Sequence, residues 1–421
     1  MQDIQKKTGF RQYMGLTVLI GFGFFTMGLM DPLYDTYTPL FLRRYLNSNA
    51  AVGLIMTLDN ILQLLLIPVI SIWSDRTRTR IGRRMPFIVV MLPISAILFS
   101  LIPSLAGLSF IALLGIIFIF NIFKTPVRGP IVALMPDTIP GDYRSEANGV
   151  INMMGGFGLI VSTLLLTRLI GIKGLPDGFP PHGLPFIIAS ACILVAVLVL
   201  LLFVREKKPE DTPQEEKIPV FTSIKQVFSS GDTSVRRILI SLFLWFMAYE
   251  GAKPFLGLYM VEVLGVSEGN AALAQGVAGI SSVIMAVPAG YFAHKLGRRK
   301  FIRVCLALLA FIMFLIPGAG FLGGGSVLAL FLALMFLYGA VWIGIVVNSF
   351  PMLWQMASFG TMGIYTGLYY TFSQSAAILA PPVTGLIIDL GGYAGIFIFG
   401  AVCMLAACFV MGGVKAGEPG K

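Results

Sequence analysis

Long apolar stretches follow one another along the whole chain, separated by short polar segments or by glycine and proline. Each holds about 20 residues or more, the length that an α-helix needs to cross the hydrocarbon of a bilayer. Twelve stretches are predicted to be spans, at residues 14–42, 50–73, 86–104, 107–134, 146–170, 184–204, 236–261, 270–293, 300–318, 325–348, 359–388 and 393–413. The pattern therefore predicts an all-α membrane protein, with six spans on each side of a polar central segment.

Composition excludes the main alternatives to a membrane protein. Of the 421 residues, 57% are hydrophobic and only 12% are charged, about half the charged share of soluble domains. The 33 phenylalanines exclude a disordered chain. The net charge of +10 does not indicate a nucleic-acid binder, because the basic residues are divided among short loops. The four cysteines lie inside apolar stretches without metal-ligand spacing, so we expect no metal and no cofactor.

The basic residues predict the orientation in the membrane. Those inside spans are Lys124, Arg128 and Lys253, and those in the loops expected outside the cell are Arg43, Arg44, Arg168 and Lys173. All other lysines and arginines lie at the termini, in the central segment or in the remaining loops, and such an excess marks the cytoplasmic side. We expect a multi-pass protein of the cell membrane with both termini in the cytoplasm and the first span retained.

The chain divides into two six-span halves, residues 1–204 and 236–421. Between them, residues 205–235 form a charge-rich linker, in which apolar residues at helical spacing predict a short helix lying in the membrane surface. We expect this linker to be a tether rather than a domain.

The two halves also repeat. The loop after the second span contains IGRRM with Gly82, and the loop after the eighth contains LGRRK with Gly297, 215 residues later. A shift of 218 residues aligns Asp35 with Lys253. These offsets predict duplication of a six-helix unit in one orientation, an arrangement in which the substrate site lies near the bilayer midplane between the repeats. Alternating access is the expected mechanism.

Three motifs carry a resemblance to a known family. They are SDRTRTRIGRRMPFI at 74–88, ALMPD at 133–137 followed by Arg144 and ANG at 147–149, and MTLDN at 56–60. Together they resemble the major facilitator superfamily, and within it the sucrose-transporter-like and glycoside-pentoside-hexuronide cation symporter group. The resemblance implies a twelve-helix fold and symport of a sugar or glycoside with a proton or a sodium ion.

The same resemblance places cation-binding carboxylates on the second and fourth spans. Only Asp59 matches that pattern, because the fourth span carries Asn121, Lys124 and Arg128 at the corresponding depth. Sodium needs several oxygen ligands and at least one more carboxylate, so H+ is favoured over Na+ as the coupling ion.

Charges inside the bilayer are costly, which makes each of them a candidate for function. Asp59 lies near the middle of the second span beside Asn60 and Gln63. It is expected either to load and release a proton or to serve as a structural hydrogen-bonding centre. Asp31 and Asp35, at i and i+4 in the first span, are the next candidates for coupling. Two carboxylates on one helix face repel unless a cation or proton lies between them or a base pairs with one of them.

Other polar side chains inside the spans are candidates for binding the solute. Asn121, Lys124 and Arg128 form one stripe of the fourth span, where they could face a water-filled cavity, or Arg128 could reach the cytoplasmic interface. In the seventh span, Glu250 and Lys253 could neutralise each other or contact substrate. Aromatic faces cover sugar rings and amides bind hydroxyls, which adds Trp342, Tyr369 and Gln374 in the second half.

A further set of residues is expected to control the conformational change on the cytoplasmic side. It comprises Asp75, Gly82, Arg83, Arg84, Asp137 and Arg144. These could form ion pairs that latch neighbouring spans together, or the arginines could serve only to set topology.

The sequence thus favours a monomeric, proton-coupled importer of a disaccharide-like sugar or glycoside. The alternative is a proton-coupled exporter of lipids or amphipathic drugs, although the glycine-rich NMMGGFG at 152–158 lacks the proline typical of drug antiporters. A receptor or an intramembrane enzyme is least favoured, because no catalytic or phosphate-binding motif is present.

Overall fold

The computed structural model describes residues 10–140, 143–172, 179–180, 182–206, 233–319, 326–356 and 362–415. Every regular element in this part of the chain is helical, and twelve segments are long and apolar enough to cross a membrane. We number them spans 1–12: Arg11–Arg43, Asn49–Arg76, Met85–Ala106, Phe110–Thr138, Glu146–Leu169, Gly183–Phe203, Thr233–Val263, Glu268–Leu296, Arg298–Gly318, Val327–Leu353, Tyr365–Gly391 and Ala394–Met411. The predicted twelve-span fold is confirmed. The predicted linker helix and Lys173 lie outside the described residues.

Several spans are interrupted inside the membrane. Span 2 consists of helices Asn49–Met56 and Leu58–Arg76, and span 4 of helices Phe110–Lys124 and Arg128–Thr138. Span 7 changes from α-helix Thr233–Ala252 to a 3-10 turn, Lys253–Phe255, which contains Pro254. Proline lacks an N–H group and breaks helical hydrogen bonding. Membrane proteins keep such breaks where protein or water can satisfy the freed backbone groups.

By their internal contacts the residues form two compact units. Unit 1 comprises Met1–Tyr34 and Ile61–Thr212, and unit 2 comprises Asp35–Asn60 and Pro213–Lys421. The end of span 1 and the beginning of span 2 therefore belong to the unit that contains spans 7–12. The predicted division at residues 205–235 follows the sequence repeat and leaves all of spans 1 and 2 in the first half.

In unit 1, span 3 packs against spans 4 and 6. The contact is built around Phe99, whose ring centroid lies 5.5 Å from that of Phe120 and 4.6 Å from that of Phe186. Spans 1 and 5 approach closely at glycines, because a Cβ atom on Gly28 would lie 2.1 Å from the carbonyl oxygen of Gly155. Small residues allow helix backbones to meet in this way inside membranes.

In unit 2, span 9 packs against spans 10 and 12, and span 7 packs against spans 11 and 12. The rings of Tyr259, Phe331 and Phe397 meet in its core, with centroids 4.9–6.3 Å apart. The neighbours of span 9 are the counterparts of those of span 3, six spans later, as a repeat of the six-helix unit predicts.

Candidate functional site

An ion pair joins spans 1 and 4 in unit 1. Lys124 Nζ lies 2.6 Å from Asp31 Oδ1, and the lysine side chain is only 9% exposed. Its ammonium also lies 5.2 Å from the centroid of the Tyr34 ring, within reach of a cation–π interaction. Two charges that the sequence placed on separate spans therefore compensate each other.

The Asp31–Lys124 pair lines a small open cavity in unit 1. Gln63 of span 2 and Arg128 of span 4 also line it, together with apolar side chains such as Met27 and Met30. Asp31, Gln63, Lys124 and Arg128 were all predicted site residues, and the structure brings the four together. Arg128 faces this cavity, which is the first of the two alternatives that the sequence left open.

The break in span 4 positions both cations. Lys124 ends the first helix of the span and Arg128 begins the second, with Pro126 between them. A lysine at a helix C-terminus is stabilised by the helix dipole. Asn121, one turn before Lys124, is fully buried and donates to the Tyr34 hydroxyl at 2.8 Å. In this structure Asn121 therefore fixes the ring beside Lys124 and does not line the cavity.

A second ion pair lies in unit 2. Lys253 Nζ is 2.8 Å from Asp35 Oδ2, with the aspartate side chain 7% exposed. The sequence analysis proposed Glu250 or substrate as the group that Lys253 contacts, and the structure adds an acid from span 1 as a partner. Glu250 is half-buried, one turn earlier on span 7.

An aromatic cluster surrounds this part of span 7. The rings of Tyr249 and Trp342 are parallel, with centroids 4.3 Å apart and an interplanar angle of 2°. Phe246 meets Trp342 edge-on at 5.8 Å and Tyr369 at 6.2 Å. Trp342 and Tyr369 were predicted to contact substrate, but both are buried in this structure, and the Tyr369 hydroxyl lies 3.3 Å from that of Ser349.

The remaining predicted residues of the spans lie on spans 2 and 11. Asp59 is 8% exposed and stands in the first turn of helix Leu58–Arg76. Asn60, predicted to bind substrate, donates to the carbonyl oxygen of Ala377 on span 11 at 3.4 Å. Gln374 is half-buried on span 11. Among the residues that the structure describes, no group of three or more His, Cys, Asp or Glu could hold a metal ion.

Five of the six predicted latch residues meet between spans 2, 3 and 4. Arg83 and Arg84 donate through Nε to Asp137 Oδ2 at 3.0 Å and 2.9 Å, and Arg84 also pairs with Asp75. The hydrogen bond to Asp137 raises the pKa of the Arg83 guanidinium above its ordinary value. Gly82 has a φ of +116°, a conformation that favours glycine.

Arg144, the sixth member, donates to the carbonyl oxygen of Pro136 at 2.9 Å. It therefore stabilises the end of span 4, beside Asp137. The latch also contains a residue that the sequence did not indicate. The Glu206 carboxylate, after span 6, accepts hydrogen bonds from the backbone N–H groups of Arg83, Arg84 and Met85 at 2.7–3.1 Å. Glu206 lies among many other charges in the linker, so the sequence did not indicate that its side chain caps span 3.

Unit 2 has its own polar cluster, which the sequence reasoning missed. The Asp389 carboxylate of span 11 accepts hydrogen bonds at 2.7–3.0 Å from Ser48, Asn49 and Ala50, at the start of span 2. Glu262 pairs with Arg43 at 3.4 Å and accepts from the Tyr393 hydroxyl at 2.8 Å. Burial, and then the hydrogen bond to Glu262, raise the pKa of Tyr393. An acid in the apolar end of span 11 is costly, so its position in the sequence could have marked Asp389 as a residue of interest.

Two sequence relatives are transport proteins. The chain is 26% identical over 226 residues to a general alpha-glucoside permease of Schizosaccharomyces pombe, covering 48% of this chain and 39% of that protein. It is 27% identical over 293 residues to a cis,cis-muconate transport protein of Acinetobacter baylyi, covering 67% of this chain and 66% of that one. The chain thus spans less than two thirds of the length of either relative.

Solved structures of transporters share the fold. A nucleoside transporter matches with a TM-score of 0.72 at 14% identity, over 95% of this chain and 99% of that one. A bacterial homologue of the iron transporter ferroportin, in an inward-facing state, matches with a TM-score of 0.72 at 16% identity, over 95% and 98% of the two chains. The sequence model of the Major Facilitator Superfamily matches residues 19–381. The chain is therefore a transporter of the Major Facilitator Superfamily.

Proposed function

We propose that this transporter imports a sugar or glycoside together with a proton, by alternating access, as a member of the sucrose-transporter-like and glycoside-pentoside-hexuronide symporter group. The cavity of unit 1 carries the proposal. Sugar hydroxyls both donate and accept hydrogen bonds, and the cavity offers an acceptor in Asp31, donors in Lys124 and Arg128, and both in Gln63. The likeness to an alpha-glucoside permease supports the same solute class.

The polar lining of the cavity favours a small hydrophilic solute. Five of its lining side chains are polar or charged. This disfavours the alternative of a lipid or an amphipathic drug, because an apolar solute would exclude water from those groups without offering them hydrogen bonds.

A solute with a carboxylate is the second candidate. Lys124 and Arg128 bring two positive charges to a cavity whose lining contains one carboxylate, that of Asp31. A guanidinium is well suited to bind a carboxylate through two hydrogen bonds. The likeness to a cis,cis-muconate transport protein favours this candidate independently.

Asp59 is the proposed coupling carboxylate, with Asp31 and Asp35 next in order. Asp31 and Asp35 each lie within 2.8 Å of a lysine ammonium. Protonation of either acid would release its lysine, so these two pairs are suited to respond to substrate as well as to protons. Asp59 is buried near the middle of span 2, a position suited to a single proton carrier.

We further propose that the protein works as a monomer in the cell membrane with both termini in the cytoplasm. The positions of the basic residues support this orientation.

Transport by purified protein in proteoliposomes tests the proposed function. Labelled monosaccharides, disaccharides, dicarboxylates, lipids and cationic dyes are offered with a pH gradient, with a sodium gradient and with none. We expect a sugar or glycoside to accumulate only under the pH gradient, and Lys124→Gln to abolish its accumulation. Accumulation of dicarboxylates alone would favour the second candidate, and indifference to the pH gradient would rule out proton coupling.

A further inference from the structure

Two side chains of span 2 bind backbone carbonyls of span 11. The Thr57 hydroxyl lies 3.1 Å from the carbonyl oxygen of Ile378, and the Asn60 amide lies 3.4 Å from that of Ala377. Thr57 also lies 3.0 Å from the carbonyl oxygen of Gly53 in its own span, so its proton is shared between two acceptors. We call the two donors and the two carbonyls of span 11 the clasp.

The sequence of span 11 explains why these two carbonyls are available. In an α-helix, each carbonyl accepts from the N–H group four residues later. For Ala377 and Ile378 those residues are Pro381 and Pro382, which have no N–H group. In the hydrocarbon of a bilayer such carbonyls need another donor. The clasp supplies one donor to each of the two carbonyls that the proline pair frees.

Close packing holds the clasp together. A Cβ atom on Gly53 would lie 2.3 Å from the carbonyl oxygen of Pro381, and one on Gly385 would lie 2.2 Å from that of Asn49. The backbones of spans 2 and 11 therefore touch over the turns that precede Thr57. Asp389 extends the contact by accepting hydrogen bonds at the start of span 2.

Asp59 lies between the two donors of the clasp in the sequence. The helix of span 2 is interrupted at Thr57, and Asp59 is 8% exposed in the turn that follows. If the clasp opened, the two freed carbonyls would require water as a hydrogen-bonding partner. That water would enter at the turn that carries Asp59.

We propose that Thr57 and Asn60 are positioning residues for proton coupling. By satisfying the carbonyls that Pro381 and Pro382 free, they keep water away from Asp59 and prevent protons from crossing without solute. This inference rests on the proposed role of Asp59 as the proton carrier.

The test is the dissipation of an imposed pH gradient by proteoliposomes that contain no solute. Thr57→Val with Asn60→Leu removes both donors at nearly constant volume. One interhelical hydrogen bond in a membrane protein changes an equilibrium by about threefold, so we expect the proton leak to rise about threefold for Thr57→Val and about tenfold for the double variant. Thr57→Ser, which keeps the hydroxyl, should not leak. Thr371→Val is the matched control, because that hydroxyl donates to a carbonyl of its own span, that of Gly367.

Restoring the helical donors separates the clasp from a general loss of structure. Pro381→Ala with Pro382→Ala returns two N–H groups to span 11, so the freed carbonyls regain partners within their own helix. When the two alanines are combined with Thr57→Val and Asn60→Leu, the leak should return to within about twofold of that of the unaltered protein. The effects of the two sets of substitutions would then be non-additive. If the double variant cannot be purified, Thr57→Val alone is taken through the same comparisons.

An unchanged leak in the Thr57 and Asn60 variants would overturn the inference. So would a raised leak that the two alanines do not lower. Asp59→Asn in the leaking variant should stop the leak. A leak that persists with Asp59→Asn would reject Asp59 as the carrier, and with it the coupling assignment of the proposed function. If the Thr57 and Asn60 variants do not leak but proton-coupled transport still requires Asp59, only the proposed role of the clasp is rejected.

Discussion

Asp35 and Lys253 form an ion pair at 2.8 Å although they belong to different spans and occupy equivalent positions in the two sequence repeats, 218 residues apart. An acid and a base at corresponding sequence positions are therefore partners in the structure. Asp35 belongs with spans 7–12 in the same compact unit. The pair therefore joins the end of span 1 to span 7.

Neutralising one member of the Asp35–Lys253 pair should impair stability and transport more than neutralising both members. Removing one partner of a fully buried ion pair costs about 3–5 kcal/mol, and the partial exposure of Lys253 reduces the expected cost to about 2 kcal/mol. We expect Asp35→Asn and Lys253→Gln each to lower thermal stability and transport, and the double variant to recover part of both. Asp35→Asn with Arg43→Gln is the matched control, since Arg43 pairs with another acid, Glu262. Recovery in that control, or none in the true pair, would show that pairing is not the main role of Asp35.

Asp59→Asn should separate net transport from exchange. The amide resembles a permanently protonated acid, so the variant should lose pH-driven accumulation while it keeps exchange of labelled for unlabelled solute. Both activities are measured in the same proteoliposomes. Accumulation that survives would transfer the coupling role to Asp31 or Asp35, which are then tested by the same two assays.

Gly82→Ala should disrupt the latch between spans 2, 3 and 4. The residue has a φ of +116°, and a Cβ atom would lie 2.5 Å from the carboxyl carbon of Glu206. Backbone strain alone costs on the order of 1–3 kcal/mol. Thermal unfolding in detergent should show a larger loss for Gly82→Ala than for Gly171→Ala, which has a φ of +75° but open space around it. Equal losses would mean that the contact with Glu206 contributes little.

Glu206→Gln should weaken the start of span 3. The carboxylate accepts hydrogen bonds from three backbone N–H groups, and an amide has only one oxygen to offer them. We expect a loss of about 1–2 kcal/mol in the free energy of unfolding. A variant as stable as the unaltered protein would contradict a capping role for this side chain.

Asp389→Asn should loosen the start of span 2. Its carboxylate accepts four hydrogen bonds there, through both oxygens, whereas an amide can accept through only one. Cysteines introduced at the beginning of span 2 should react faster with a thiol reagent in this variant. Asp75→Asn, on the other end of span 2, is the control and should leave that reactivity unchanged.

The sequence determined the spans and most of the charged site. A run of about 20 apolar residues has few options other than crossing a membrane as a helix. For the same reason, each charge inside such a run was conspicuous, and Asp31, Lys124 and Arg128 line one cavity as their unusual positions implied. The motif around Gly82 likewise predicted the residues that meet Asp137.

The tertiary structure decided which groups are partners. Spacing along one helix predicts Glu250 as a neighbour of Lys253, and the tertiary structure adds Asp35, on another span, as an acid that pairs with it. Asn60 was predicted to bind substrate, and in the structure it donates to a backbone carbonyl. Every residue has such a carbonyl, so the sequence composition does not identify which one is the acceptor. Only the proline pair marked which carbonyls would need a donor. The strength of a hydrogen bond or ion pair falls steeply with distance and angle, and those are fixed by the packing of one span against another, which no local pattern in the sequence specifies.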